Sequence, residues 1–170
     1  IVKTLHGALG SGVFLLDNTK SFEDLMTLVH ETQPNILLIF QKFIASSKGR
    51  DLRILVVQGK VVAAMQRVAK AGDFKANFSQ GGRVEEFKID KKAADIAIKT
   101  AKALDIQVAG IDLLFTEDGY TICEANTFPG FKGLEQATGV NVPEAIFNAM
   151  AEQLQSTKPA KTPLKKLLRK

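Results

Sequence analysis

The 170 residues are enough for one domain with a substantial core and too few for two ordinary ones, and 45% apolar with 24% charged residues is the balance of a soluble globular chain. No apolar run reaches the roughly 20 residues of a membrane-spanning helix. A single cysteine, Cys123, excludes an intramolecular disulfide, and no signal-peptide pattern opens the chain, so a cytoplasmic protein without membrane association is expected. The net charge of +5 is unevenly spread: residues 156–170 hold six basic residues and no acid, whereas residues 1–155 hold 17 basic against 18 acidic residues. The expected division is a folded domain over 1–155 and a basic, flexible tail over 156–170. On this reading the high pI belongs to the tail and describes no basic face on the domain.

Ile1-Val-Lys-Thr-Leu5 reads as a strand with no leading turn, so the chain is expected to begin inside a larger protein. Val2 to Leu5 and Val13 to Leu16 flank the Gly-containing segment 6–12, the pattern of a hairpin. Ser21 is the expected cap of a helix running to about Glu31, with Phe22, Leu25, Met26 and Val29 inward and Pro34 beyond its end. Ile36 to Phe40 is an expected buried strand, followed by a polar loop at 45–50. Leu52 to Val57 and Val61 to Met65 form a second hairpin around Gln58-Gly59-Lys60. Residues 69–83 are polar and Gly-rich, with Phe74 and Phe78 as anchors, and are expected to be a loop laid over a site. A helix from Asp90 to about Leu104 places Ala94, Ile98, Ala101 and Leu104 at helical spacing. Ala109 to Phe115 and Tyr120 to Ala125 make a third hairpin, and Pro143 opens a last helix to about Leu154. Antiparallel hairpins separated by helices predict an α+β class.

The third hairpin carries the sharpest chemical signal. A three-residue loop at 117–119 sets Thr116 opposite Tyr120 and, counting back, Asp112 opposite Glu124. Alternation puts Glu124 and Asn126 on one face, so three oxygen donors converge on one or two hard cations, two being the preferred count; Mg²⁺ or Mn²⁺ suits them. The same alternation turns Cys123 away, as a small buried apolar residue. Lys3, inward on an apolar strand, needs an anionic partner such as a phosphate. Gly7, Gly10 and Gly12 would let backbone N–H groups close over it, although glycines at this spacing also suit an ordinary turn.

These segments together resemble the ATP-grasp superfamily, and within it the RimK-like α-L-glutamate ligases. The resemblance is carried by Val61 to Asn77 with Gly81-Gly82, by Ala109-Gly-Ile-Asp112, and by Glu124-Ala-Asn-Thr-Phe-Pro-Gly-Phe131, which is similar to the family's Glu-x-Asn-x-x-Pro-Gly motif. The resemblance implies that Lys3 and the 6–12 loop meet nucleotide phosphates. It implies that Gln41, Lys42, Phe43 and Ile44 are the hinge that recognises adenine through its backbone, and that Asp51 lies near the ribose. Arg67, Lys75 and Asn77 are implied to approach the transferring phosphoryl group, and Asp112, Glu124 and Asn126 to bind metal. Lys42 stands where the family usually has Glu, and Lys75 where it has Arg, which removes a bidentate phosphate fork.

The expected function is amide-bond formation between a carboxylate and an amine, driven by ATP through an acyl phosphate. By resemblance the amine is an amino acid such as glutamate, and the acceptor a peptide or ribosomal-protein C-terminus. A nucleotide-binding module without turnover is the alternative. The tail reads either as a solvated end or as a contact for RNA or another polyanion, and self-association is left open.

Overall fold

The computed structural model describes residues 1–7, 11–76 and 81–156. The expectations for Gly10, Asn77, Phe78 and the tail beyond Ser156 fall outside them.

β1 (Val2–Thr4) and β2 (Val13–Phe14) form the first hairpin, with Val2 opposite Phe14 and Lys3 opposite Val13. β3 (Leu38–Phe40) pairs antiparallel with the other edge of β1, giving a three-stranded sheet in the order β2-β1-β3. Between them runs α1 (Thr19–Thr32), which starts two residues before the expected cap. Asn18 holds that place: its extended backbone lets the side chain accept from the Ser21 N–H at 2.8 Å. α1 is anchored by the edge contact of Phe22 with Phe40 at 5.9 Å and has no fully buried residue.

A second, five-stranded antiparallel sheet has the order β6-β5-β4-β7-β8. Its centre is the hairpin of β4 (Arg50–Val57) and β5 (Lys60–Val68), turned at Gln58 and Gly59, both with positive φ. β6 (Arg83–Glu86) is an edge strand that the polar composition of 69–83 and its flanks concealed. β7 (Val108–Thr116) joins β4 and carries β8 (Gly119–Asn126) on its outer edge.

Period-two alternation divides this sheet into two faces. Leu52, Ile54 and Val56 of β4 with Ala109, Ile111 and Leu113 of β7 pack on α2 (Lys91–Ala103). Asp90 caps α2 as expected, accepting from the Ala93 N–H at 2.8 Å. The buried row is Ala93, Ala97 and Ala101: Ala101 is as expected, Ala93 and Ala97 stand one residue before the expected Ala94 and Ile98, and Leu104 is exposed. Three alanines let the helix lie close on the sheet, which a row holding Ile98 and Leu104 would not. On the opposite face Leu55, Val57 and Met65 pack with Leu134 of α3 (Lys132–Thr138) and Val142 of α4 (Val142–Ser156). α3 was not expected from the sequence; it is short and ends at Gly139, whose φ of 70° is left-handed. Beyond α3 and α4 this face carries Asp51, Arg53, Arg67 and Asp112 into a cavity.

A cationic cavity between the two sheets

The third hairpin reaches the expected pairing by a different route. Its turn holds two residues, so Thr116 faces Gly119 and Phe115 faces Tyr120, and an extra residue in β8 then restores Asp112 opposite Glu124. That residue is Cys123. Cys123 and Glu124 both line the cavity, and Cys123 is partly rather than fully buried. Burial, reinforced by Glu124, pushes the Cys123 thiol up to about 11, so it stays protonated at neutral pH and is a poor nucleophile.

The cavity measures about 1150 Å³ and lies between the three-stranded sheet and the open face of the five-stranded sheet. Lys3 and Gly7 come to it from β1 and its loop. Gln41, Lys42, Phe43 and Ile44 leave the end of β3 along one wall. Asp51 is on β4 and Arg67 on β5, Lys75 follows β5, and Asp112, Glu124 and Asn126 come from β7 and β8. Gly12 is near this wall without lining it. It has a φ of +71°, and a Cβ there would meet Thr4 Oγ1 at 2.6 Å, so a glycine is required to close the β1–β2 hairpin.

At the floor, four charged side chains form one chain. Arg53 donates from Nε to Asp112 Oδ1 and from Nη2 to Oδ2, both at 2.7 Å. Arg67 Nη2 donates to the same Oδ2 at 2.7 Å and also joins Nε in a fork on Asp51, at 2.9 and 2.5 Å. Burial opposes charge on Asp112, yet Arg67 and Arg53 together hold its carboxyl below the ordinary carboxylate value. Burial outweighs Arg67 at Asp51 and pushes that carboxyl up. Arg67 loses by burial and gains more from Asp112 and Asp51, which lock it in the charged form. Above the floor, Lys3 stands 3.7 Å from Glu124 Oε2, and the Asn126 amide donates to Glu124 Oε1 at 3.1 Å. Among the described residues, no three acids, histidines or cysteines gather as a metal cluster.

Among the described residues, seven basic residues line the cavity against three acidic ones, although the domain as a whole is nearly neutral. The sequence-level view that the domain has no basic face is therefore corrected for this one concavity. Three of the seven, Arg50, Arg53 and Lys132, were not among the expected site residues. Arg53 had a usable signal, since it is two residues from Asp51 on the same strand and so shares its face. Arg50 is held over the Phe115 ring at 4.6 Å, a tertiary contact that local pattern does not show. Phe128, almost fully exposed, and Phe131 form part of the rim. Gly110, opposite Asn126, makes room for this segment: a Cβ at 110 would come within 2.6 Å of Pro129.

Two antiparallel sheets with a charged cavity between them define an ATP-grasp fold, and solved structures bear this out. The chain is similar to the ATP-grasp ligase PsnB complexed with minimal precursor, Mg and ADP, with a TM-score of 0.66 and 22% identity, over 91% of this chain and 45% of that one. It is also similar to D-alanine–D-alanine ligase from Bacillus anthracis complexed with ATP, with a TM-score of 0.65 and 16% identity, over 91% of this chain and 53% of that one. Residues 1–150 match the RimK-like ATP-grasp domain, and the chain belongs to that family. Among curated relatives, a probable alpha-L-glutamate ligase of Rhodopirellula baltica (strain DSM 10527 / NCIMB 13988 / SH1) is 37% identical over 154 residues, covering 91% of this chain and 38% of the relative. One of Legionella pneumophila (strain Corby) is 39% identical over 142 residues, covering 84% and 46% respectively. The chain thus spans less than half the length of these relatives.

Proposed function

We propose that this chain is the nucleotide-binding portion of a ligase that joins a carboxylate to an amine with ATP. The observation that carries the reading is the excess of cations in a cavity between two sheets, a setting that suits a polyphosphate. Lys3, Arg67 and Lys75 are assigned to phosphate charge, and family resemblance gives Asn77 the same task. Gly7, Gly10 and Gly12 belong to the loop over the phosphates. The backbone from Gln41 to Ile44 is assigned to adenine, flanked by Phe43 and Ile44, and Asp51 to the ribose end.

Asp112, Glu124 and Asn126 supply two carboxylates and an amide, an oxygen set that fits Mg²⁺ or Mn²⁺ in kind. Their count is small, so waters and phosphate oxygens would complete the coordination. When bound, such a cation would offset the charge of the phosphates during transfer.

In the reaction, an acceptor carboxylate oxygen bonds to the γ-phosphorus as the bond to ADP breaks, giving an acyl phosphate. The amine then attacks the acyl carbon, inorganic phosphate leaves, and the amine gives up a proton. No protein nucleophile takes part, which agrees with the protonated state of Cys123. The names of the curated relatives support glutamate as the amine, and a second PsnB structure, complexed with precursor peptide PsnA2 and AMPPNP, supports a peptide-like acceptor. Nucleotide binding without turnover is the second reading, favoured by Lys75 in place of the family's Arg.

Incubating the full-length protein with Mg-ATP, amino acids and candidate peptides, while following ADP and acceptor mass, separates the two. Acceptor-dependent ADP release with a mass gain of one amino-acid residue supports the ligase. Tight ATP binding with no mass gain for any acceptor supports the module.

A further inference from the structure

We propose that Arg53 is a positioning residue that presents Asp112 to the divalent cation accompanying the nucleotide; this rests on the metal reading of Asp112, Glu124 and Asn126. Arg53 is the cross-strand partner of Asp112 on neighbouring β4 and β7, and its guanidinium meets the carboxylate edge to edge with two bonds of 2.7 Å. Two parallel bonds fix the plane of a carboxylate, which one bond cannot do. The two side chains are 15% and 4% exposed, so water offers little competition for the fork.

The hydrogen-bond inventory then selects one oxygen. A carboxylate oxygen has two acceptor positions. Among the described residues, Oδ2 of Asp112 fills both, with Arg53 and Arg67, while Oδ1 accepts from Arg53 Nε alone. Asp112 is left with one acceptor position, on Oδ1, and is a monodentate donor. As placed, Arg67 gives Asp112 one bond and no fork. Its Nη2 already divides its hydrogens between Asp51 and Asp112, and its Nε is bound to Asp51. Without Arg53, Asp112 keeps a single bond on Oδ2 and its free oxygen can swing away. Such supporting partners of metal ligands commonly set affinity for the ion.

The test compares wild type, R53M and R53K in the full 170-residue chain. ADP affinity is measured by calorimetry with and without Mn²⁺, and bound Mn²⁺ is counted by its paramagnetic resonance signal. The metal-dependent gain in affinity should fall by about 10- to 100-fold in both variants, because a lysine ammonium keeps the charge and loses the fork. In R53K, which keeps the cavity charge, ADP affinity without metal should stay within about threefold, a split that simple loss of packing would not produce. If R53M does not fold, R53K carries the test. A folded R53K with the wild-type metal-dependent gain overturns the proposal, as does an equal loss with and without Mn²⁺, which would make Arg53 a phosphate contact. E124Q run alongside distinguishes the failures. A gain present in wild type, lost in E124Q and intact in R53K removes the role of Arg53 and leaves the metal site standing; no gain in wild type overturns both.

Discussion

Arg67 on β5 and Asp112 on β7 meet across the intervening strand β4, with Nη2 2.7 Å from Oδ2 and both side chains almost wholly buried. The contact links three strands through their charged side chains. Replacing Asp112 with Asn puts amide hydrogens against two guanidiniums and leaves buried positive charge unmatched. The variant should lose about 3–5 kcal/mol of stability in denaturant unfolding, the usual cost of breaking one side of a buried pair. The acid dependence has a definite sign. The folded carboxyl of Asp112 titrates below the ordinary 3.8, so its contribution is fully present above that value and is lost as pH falls through the folded pKa. Asp51, raised by burial, acts in the opposite direction. D112N should therefore show a shallower loss of stability than wild type below about pH 4. An identical acid limb in the two proteins would show that Asp112 is not the group responsible.

Glu124 is more exposed and, among the described residues, pairs with Lys3 and Asn126 alone, so it can be changed at little structural cost. E124Q preserves shape and removes the charge. Mg-nucleotide affinity should fall by at least tenfold, in line with the loss of a metal ligand or its close support. The thermal midpoint should move little. Unchanged Mg-dependent affinity in a calorimetric titration would remove Glu124 from the metal set.

How far the sequence disclosed this arrangement depended on whether the determinant was local. The three hairpins were legible because apolar alternation and Gly-containing turns mark them, and the Asp112–Glu124 pairing was reached although the turn was misjudged. A one-residue error in the loop was cancelled by the bulge at Cys123, which no alternation pattern announces. Ser21 and Asn18 are both good helix caps, and only the extended backbone at Asn18 decides between them. The phase of α2 followed space rather than hydrophobicity, since Ala93 and Ala97 admit the sheet more closely than Ala94 and Ile98. Arg53 was passed over because one arginine in a strand reads as surface; its meaning depends on Asp112, 59 residues away.

Gly12 tests the hairpin that brings Lys3 to the cavity. Its φ of +71° disfavours any side chain, and an added methyl would press on Thr4 Oγ1. G12A should cost about 1 kcal/mol or more of stability. Nucleotide affinity should weaken in parallel, because Lys3 pairs with Val13 directly beside this turn. A fully stable G12A with wild-type nucleotide affinity would remove the turn from the proposed site.

The basic tail is proposed to be separable from the domain. α4 reaches Ser156 and is tied to the β4–β5 turn near its end by Lys60 to Glu152 and by Gln58 to Gln153. Deleting residues 157–170 should leave folding and nucleotide affinity essentially unchanged and abolish any steeply salt-dependent binding to RNA. Loss of folding or of nucleotide binding would instead place Leu164, Leu167 and Leu168 against the domain and move the boundary beyond Ser156.

Tyr120 offers a direct reading of one local network, because it is the only tyrosine in a chain without tryptophan. Its hydroxyl donates to Asp90 Oδ2 at 2.6 Å, while Asp90 Oδ1 caps α2 through the Ala93 N–H. Burial and the Asp90 carboxylate raise the phenol to about 12, and the bond from Tyr120 helps hold the Asp90 carboxyl below its ordinary value. For the tyrosine the sign is that of a raised group losing a proton: its contribution is present at neutral pH and is lost as pH rises through the folded value. Ultraviolet titration of the folded protein should therefore give a single phenolate transition near 12, against the ordinary 10 in denaturant. In D90N the folded value should move back toward 10, and α2 should lose part of its cap and about 1 kcal/mol at most. A wild-type transition at 10 under conditions where the fold persists would show that Tyr120 and Asp90 do not make this bond in solution.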